Sequence, residues 1–249
     1  MPNRLKFNLQ EIEAAAVRGW PALETAVVDG WLWRQTSGGS VRANSVATLA
    51  FSGDDIEVAI TTVEAHARRR SAPACFTVSD VSVPADIDAR LAARGYLRGG
   101  DHVTMAKRVA ADAPLPKATH AAKTPTADWL AIYLSGLALD RRAVAPQILA
   151  GLPASAIYVS ALADGREISS GLTIGDGSFA SVQCMATLPD ARRQGGAHRV
   201  LQAIEHVAGN NGQTTLYLQT NGDNDSAIAL YQRAGFAVIG HYHTRTKSI

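Results

Sequence analysis

The spacing of apolar and polar residues along this chain predicts alternating strands and helices in two related blocks. In the later block, Ala127 to Leu137 and Arg141 to Leu149 read as helices. Ala156 to Ala163, Glu167 to Ile174 and Phe179 to Leu188 read as three antiparallel strands. They are joined by Asp164-Gly165 and Gly175-Asp176-Gly177, residues that tolerate positive φ. Next, Ala197, Val200, Leu201, Ile204, Val207 and Ala208 recur at three and four residues, the period of a helix with one buried face. Asn210-Asn211-Gly212 ends that helix with residues that accept a left-handed cap. A strand over Thr214 to Gln219, a helix from about Asp225 to Ala234 capped by Gly235, and a closing strand over Phe236 to His243 complete the block.

The earlier block repeats the later half of that order. It reads as strand Val41 to Phe51, helix Asp54 to Arg70, strand Ala74 to Val78, helix Ala85 to Arg94, Gly95-Tyr96, and strand Val103 to Arg108. The interval from Cys75 to Gly95 equals the interval from Thr215 to Gly235, so one offset along the chain relates both pairs. The equal spacing suggests a duplicated fold. Between the blocks, Ala111 to Thr126 mixes alanine, proline and threonine with almost no large apolar residue, the composition of a linker or an irregular crossover.

Charge and composition narrow the function. The 249 residues carry 24 Lys and Arg against 22 Asp and Glu, a net charge of +2, too little for a protein that binds nucleic acid mainly through charge. Met1 to Trp20 carries charges at Arg4, Lys6, Glu11, Glu13 and Arg18 and no apolar run resembling a signal peptide. No stretch of about 18 apolar residues appears, so no membrane span is expected. Cys75 and Cys184 each lie in a strand-like segment, which fits buried thiols in a reducing cytoplasm and no zinc site. Arg68-Arg69-Arg70 closes a helix, where positive charge suits the dipole, so a solvated end outweighs a nucleic-acid patch.

Two local patterns carry chemistry. A strand ending at Leu188-Pro189 feeds a short loop and a helix, so the amides of Gln194 through Arg199 are expected to lack intrahelical partners. Gly195 and Gly196 leave room for a phosphate to approach the backbone, and Arg192, Arg193 and Arg199 add positive charge to the helix dipole. A surface turn with solvated arginines is the equally weighted alternative for this element alone. His198 within the loop is as readily a solvated side chain as a phosphate contact. In the final helix, Asn224 serves as cap, and Ala227, Leu230, Tyr231 and Ala234 fall on one stripe, so Tyr231 faces inward. A phenol at the end of an apolar groove is suited to protonate a departing sulfur, its pKa of about 10 lying above a thiol's. Taken alone, Tyr231 is more readily a core tyrosine with a satisfied hydroxyl.

Together these residues resemble a family. Arg192-x-x-Gly195-x-Ala197 after a strand ending in Thr187-Leu188-Pro189, with Asn224-x-x-Ala227-x-x-x-Tyr231-x-x-x-Gly235-Phe236 one strand later, is similar to the GNAT superfamily of N-acetyltransferases. The match covers the carboxyl-terminal part of the chain, including the hairpins that precede the first motif. Alanine stands where glycine often closes the loop motif, a departure the family allows. The resemblance implies an α/β fold with a mixed sheet, acetyl-CoA as co-substrate, and no metal. It implies pyrophosphate contacts from Arg192, Arg193, Gln194, Gly195, Gly196, Ala197, His198 and Arg199. It also implies a pantetheine arm along Met185, Ala186 and Thr187, where that strand splays from the next. Asn224 and Ala227 border the arm, and Tyr231 is the general acid for the CoA thiolate. Transfer to a primary amine then needs backbone amides that polarise the thioester carbonyl. It also needs a base. Glu167, Asp176, His241 and His243 are candidates, though a solvated or packing role is the commoner one for each.

The amino-terminal block departs from the motif. Its loop, Ser52-Gly53-Asp54-Asp55-Ile56-Glu57, has no arginine and sets carboxylates at the helix start, so it is not expected to bind CoA. At the offset that relates the blocks, Leu91 replaces Tyr231 and Pro84 replaces Asn224. The reading is therefore a tandem GNAT protein. Residues 1–110 form a degenerate copy, 111–126 a linker and 127–249 the catalytic domain, as a monomer or homodimer. Trp31-Leu32-Trp33-Arg34 and Arg42-Ala43-Asn44-Ser45 either line the acceptor pocket or form a sheet face with interface tryptophans, the second carrying more weight. The acceptor is a small amine, a sugar amine or a protein amino group. A non-catalytic acyl-CoA sensor or assembly protein is the rival from another class.

Overall fold

The computed structural model describes residues 7–249; Arg4 and Lys6 lie outside the described residues. The chain opens with α1 (Leu9–Arg18), β1 (Glu24–Val28), β2 (Trp31–Gln35) and β3 (Val46–Ala47). There follow α2 (Ile56–Arg69), β4 (Ala74–Ser79), α3 (Ile87–Ala93) and β5 (Leu97–Arg108). The later block contains β6 (Thr119–Ala122), α4 (Ala127–Ser135), α5 (Leu139–Ala150), β7 (Ala156–Ala163) and β8 (Arg166–Asp176). It ends with β9 (Phe179–Ser181), β10 (Gln183–Thr187), α6 (Gly196–Asn210), β11 (Thr215–Asn221), α7 (Asp225–Arg233) and β12 (Ala237–Lys247).

Side-chain caps set several helix starts. Asp55 Oδ1 accepts from the amides of Glu57 and Val58, so α2 begins at Ile56 rather than Asp54. Thr126 caps α4 through the amide of Trp129, and Asn8 caps α1 through that of Glu11. The helix α1 lies outside the pattern read from the sequence. It buries Ile12, Ala15 and Ala16 against Ala106 and Tyr217.

All the described strands join one mixed sheet in the order β1-β2-β3-β4-β12-β5-β11-β9-β8-β7-β6, with β10 paired to β8. The last strand of each block pairs with the penultimate strand of the other: β5 lies antiparallel to β11, and β12 to β4. Between β5 and β12 the register pairs Ala237 with Ala106 and Thr246 with Leu97. The offset that carries Cys75 to Thr215 also carries Leu97 to Ala237 and Ala106 to Thr246, and so exchanges those two pairs. The β5–β12 register thus has an internal two-fold relation at the offset seen in the sequence spacing.

Three expectations are corrected. Val41 to Phe51 is not one strand: Val41–Ala43 is a 3-10 turn and only Val46–Ala47 pairs. Asn44 explains the loss, because its side chain accepts from the Thr36 amide and donates to the Gly38 and Ser40 carbonyls, competing with a ladder. Phe179 to Leu188 breaks at Val182 into β9 and β10, and β10 itself carries a bulge between Gln183 and Ala186 where Cys184 takes φ 52°. Within 111–126, Thr119–Ala122 forms β6 on the edge of β7. Backbone pairing to a free edge needs no large apolar side chain, so the composition gave no sign of it.

Apolar layers cover both faces of the later block. Leu201, Ile204, Leu216, Leu218, Tyr231 and Phe236 pack in one cluster, and Trp129, Tyr133, Ile148, Tyr158 and Leu172 in another. No helix among the described residues is long and apolar enough to cross a membrane.

Candidate active site

The site starts from the break in the strand after β8. Ser181 pairs with Tyr217, and the Val182 amide donates to the Tyr217 carbonyl at 2.8 Å. Beyond that point β10 pairs only with β8 while β11 continues along β5, so the two strands part. Met185, Ala186 and Thr187 lie half-buried on the parted strand. Met185 sits beneath α6, and the Thr187 hydroxyl meets that of Ser169 at 2.9 Å.

At the end of β10 the loop delivers an uncapped helix start. Gly195 is the N-cap of α6 in the left-handed region, φ 75°, and offers no side chain to the helix amides. The amides of Arg193 through His198 donate to no acceptor among the described residues. The Arg199 amide, expected to be free, donates instead to the Gly195 carbonyl at 3.0 Å, because it closes the first helical turn. Gly196 also has a different reason from the expected one. A Cβ there would overlap Ser169 Oγ, so this glycine lets α6 press onto β8, whereas the space over Gly195 is open. Arg192, Arg193, Gln194 and His198 are exposed, and Ala197 is half-buried. The Arg199 Nε is buried without a partner among the described residues. The start of α2 contrasts with this arrangement, since Asp55 already occupies its amides.

The second motif faces the same cluster. Asn224 caps α7, its Oδ1 accepting from the Ala227 amide at 3.2 Å and from Ser226 Oγ at 3.1 Å. Ala227 packs against the core cluster that contains Tyr231. Tyr231 is 8% exposed and its ring lies 6.0 Å from that of Phe236. Its hydroxyl has no hydrogen-bond partner among the described residues and is not sealed from solvent. Burial pushes the phenol up to about 12. At the equivalent place in the earlier block, Leu91 is wholly buried.

The four candidate bases do not come together. Glu167 accepts from the Thr126 hydroxyl at 2.7 Å and so supports the α4 cap. Asp176 pairs with Arg18. His241 and His243 contact Asp80 and Asp88 and line a cleft of about 880 Å³. That cleft straddles the internal two-fold, since the offset between the blocks relates Ser82 to Gly222 and His102 to Tyr242.

Three further groups gather on the α1 side of the opening. Glu13 is buried and accepts from Thr104 and from Gln219 Nε2, and burial raises its carboxyl above the usual range. Gln183 begins β10, and Arg42 lies over the Trp20 ring with its Cζ 4.8 Å from the centroid. Of the aromatic and polar segments noted earlier, Arg42 reaches this side, and Ala43 packs in the cluster that contains Trp20. Trp31 packs on Phe51 and Phe76, Trp33 on His66, and Arg34 is buried on the Ser45 carbonyl and hydroxyl. No sequence signal marks Glu13 or Gln183, because each is polar within an otherwise ordinary helix or strand. Cys75 and Cys184 are free thiols.

Comparison with known proteins adds the family. The model of the family described as "Probable histone acetyltransferase Rv0428c C-terminal" matches residues 8–246. A relative from Bacillus subtilis (strain 168), described as "Uncharacterized N-acetyltransferase YobR", is 26% identical over 251 residues, 96% of this chain and 99% of the relative. A GCN5-related N-acetyltransferase from Kribbella flavida has the same fold, with a TM-score of 0.71 at 16% identity over 96% of this chain and 95% of that one. A tandem GNAT protein from the clavulanic acid biosynthesis pathway gives a TM-score of 0.65 at 16% identity, over 97% and 88% of the two chains.

Proposed function

The chain belongs to the family described as "Probable histone acetyltransferase Rv0428c C-terminal", within the GNAT superfamily, and we propose that it moves an acetyl group from acetyl-CoA to the primary amine of an acceptor. The observation that carries the donor is the run of unpartnered amides at Arg193 through His198, beside the parting of β10 from β11. A helix start with free N–H groups and nearby arginines is complementary to a diphosphate. In this reading Arg192, Arg193, Gln194, Gly195, Ala197, His198 and Arg199 hold the pyrophosphate. Met185, Ala186 and Thr187 pair with the pantetheine arm through backbone groups that β11 leaves unpaired. Asn224 keeps its amide nitrogen for the same arm, because capping uses only its oxygen.

The amine nitrogen attacks the thioester carbonyl carbon, the C–S bond breaks, and the sulfur leaves as a thiolate. Tyr231 supplies the proton the thiolate takes up. A phenol lifted to about 12 stays protonated near neutral pH, and its hydroxyl is not committed to another acceptor. The amine gives its proton to a base on the acceptor side, where Glu13 is the buried carboxylate and burial raises its proton affinity. Residues 127–249 form the acetyl-transferring copy and 1–110 the degenerate one, joined through 111–126.

A sensor that binds acetyl-CoA without turnover is the second reading, and the free Tyr231 hydroxyl favours the catalyst. Thiol release with an amine panel separates them. Tyr231→Phe is expected to lower kcat by about 100-fold or more while acetyl-CoA affinity stays within about twofold. Tight acetyl-CoA binding with no turnover in wild type and variant alike supports the sensor.

A further inference from the structure

Two polar groups on the α1 side of the opening are left unused by the described protein. Gln183 stands at the first residue of β10, where that strand leaves β11. Its Nε2 donates to the Gly19 carbonyl at 3.3 Å and to Ser181 Oγ at 3.0 Å. A carbonyl only accepts, so the amide nitrogen must face Gly19 and the amide oxygen must face away from it. That oxygen is buried and receives no hydrogen bond from the described residues, on a residue 7% exposed. An orphaned acceptor carries its desolvation cost with nothing in return unless a ligand supplies the donor.

The second group lies one residue further along the same contact. Trp20 follows Gly19, and the Arg42 guanidinium lies over its indole with Cζ 4.8 Å from the ring centroid. A cation–π contact draws on the charge of the guanidinium and consumes none of the N–H donors in its fork. Among the described residues that fork makes no ion pair or hydrogen bond. Glu13, the buried acid on this side, is held by Thr104 and Gln219 instead. The charge of Arg42 acts on Tyr133, Cys184, Tyr217 and Tyr242, groups from four elements of the later block.

We infer that the acetyl acceptor is an amine that also bears an oxyanion, a carboxylate or a phosphate, with the oxyanion held by the Arg42 fork and the amine N–H donated to Gln183 Oε1. This rests on the acetyl-transfer reading of the opening between β10 and β11. It gives the degenerate block a part in acceptor recognition, because Arg42 belongs to that block. Donation to Gln183 also orients the nitrogen lone pair, so Gln183 is a positioning residue for attack.

The test uses the full chain and three matched acceptors: butylamine, γ-aminobutyrate and an aminoalkyl phosphate. Wild type is expected to favour one anionic acceptor over butylamine by about tenfold or more in kcat/KM, the scale of one charge-assisted pair. Arg42→Gln should bring that ratio near unity through the amine KM, leave the acetyl-CoA KM unchanged, and recover in part in Arg42→Lys. Gln183→Leu should raise the amine KM or lower kcat without moving the acetyl-CoA KM. A wild type without anionic preference, or a preference that survives Arg42→Gln, overturns the inference. Equal shifts of both KM values in Gln183→Leu remove the role given to Gln183. If no amine is acetylated although acetyl-CoA binds, equilibrium binding of the two anionic compounds decides separately. Binding lost in Arg42→Gln upholds the anion site while the transfer reading falls, and no binding in wild type overturns both.

Discussion

Lys107 Nζ lies 5.9 Å from the centre of the Phe236 ring, a contact that crosses from the last strand of one copy to the helix-capping turn of the other. Lys247 repeats it on Tyr96 at 5.5 Å, and the offset between the copies relates the two lysines as it does the two rings. Each lysine also meets a glutamate on the long helix of the copy whose ring it covers, Lys107 with Glu205 at 2.8 Å and Lys247 with Glu64 at 3.5 Å. Reciprocal strand pairing and these matched contacts tie the copies into one sheet.

Separate copies should therefore not fold alone. Fragments 1–110 and 127–249, expressed apart, each lack a strand that the other supplies, because β12 lies between β4 and β5 and β5 lies between β12 and β11. Co-expression with one tagged fragment is expected to recover both in equal amounts. A monomeric 127–249 fragment that melts cooperatively would contradict this.

The two loop glycines should differ in their response to alanine. At Gly196 the new methyl overlaps Ser169 Oγ and lies 3.2 Å from Ile168 Cδ1, and Ser169 is itself held by Thr187. Overpacking of this kind costs about 1–3 kcal/mol. At Gly195 the space is open, and only the left-handed backbone penalises alanine, by about 1 kcal/mol. Urea unfolding of both variants checks the order, and a Gly195→Ala variant less stable than Gly196→Ala would refute it.

Tyr231 should set no alkaline limit on the reaction in the ordinary working range. Its phenol is lifted to about 12 by burial, so the acid form persists through about pH 10. The pH profile of kcat should lack a Tyr231-dependent fall below that point. An alkaline limb near pH 9 that vanishes in Tyr231→Phe would show a phenol far more acidic than burial allows.

Asp88 couples the copies through charge. Its carboxylate accepts from Arg245 Nε at 2.8 Å and Nη2 at 2.9 Å, and from His243 Nε2 at 2.6 Å. The Arg245 hydrogen bonds, with His243 helping, hold Asp88 well below the usual carboxylate range. A depressed folded value stabilises the protein above the unfolded aspartate value near about 4, and that stability is lost as pH falls through the folded value. Asp88 is 38% exposed, so screening limits the effect to about 1 kcal/mol at neutral pH. Asp88→Asn should lower Tm at pH 7, and the gap should shrink steadily as pH drops below about 4. A gap that grows in acid would exclude this coupling.

Local preferences carried what was legible before any coordinates. Gly235 takes the left-handed turn that ends α7, Asn224 caps its start, and the three-and-four spacing around Tyr231 and Ile204 puts both in one core cluster. Such features depend on neighbours a few positions apart, so the linear order of residues suffices to read them. The equal spacing of the two blocks was legible for the same reason. Tertiary structure alone decided which strand edges the copies exchange, where β10 leaves β11, and which polar groups share the far side of the opening. Gln183 and Gly19 are 164 residues apart and meet only because α1 lies across β5, β9 and β11. A contact closed over that distance leaves no periodic trace in either segment, since it is selected by the burial of the assembled sheet and not by the backbone preference of its own residues.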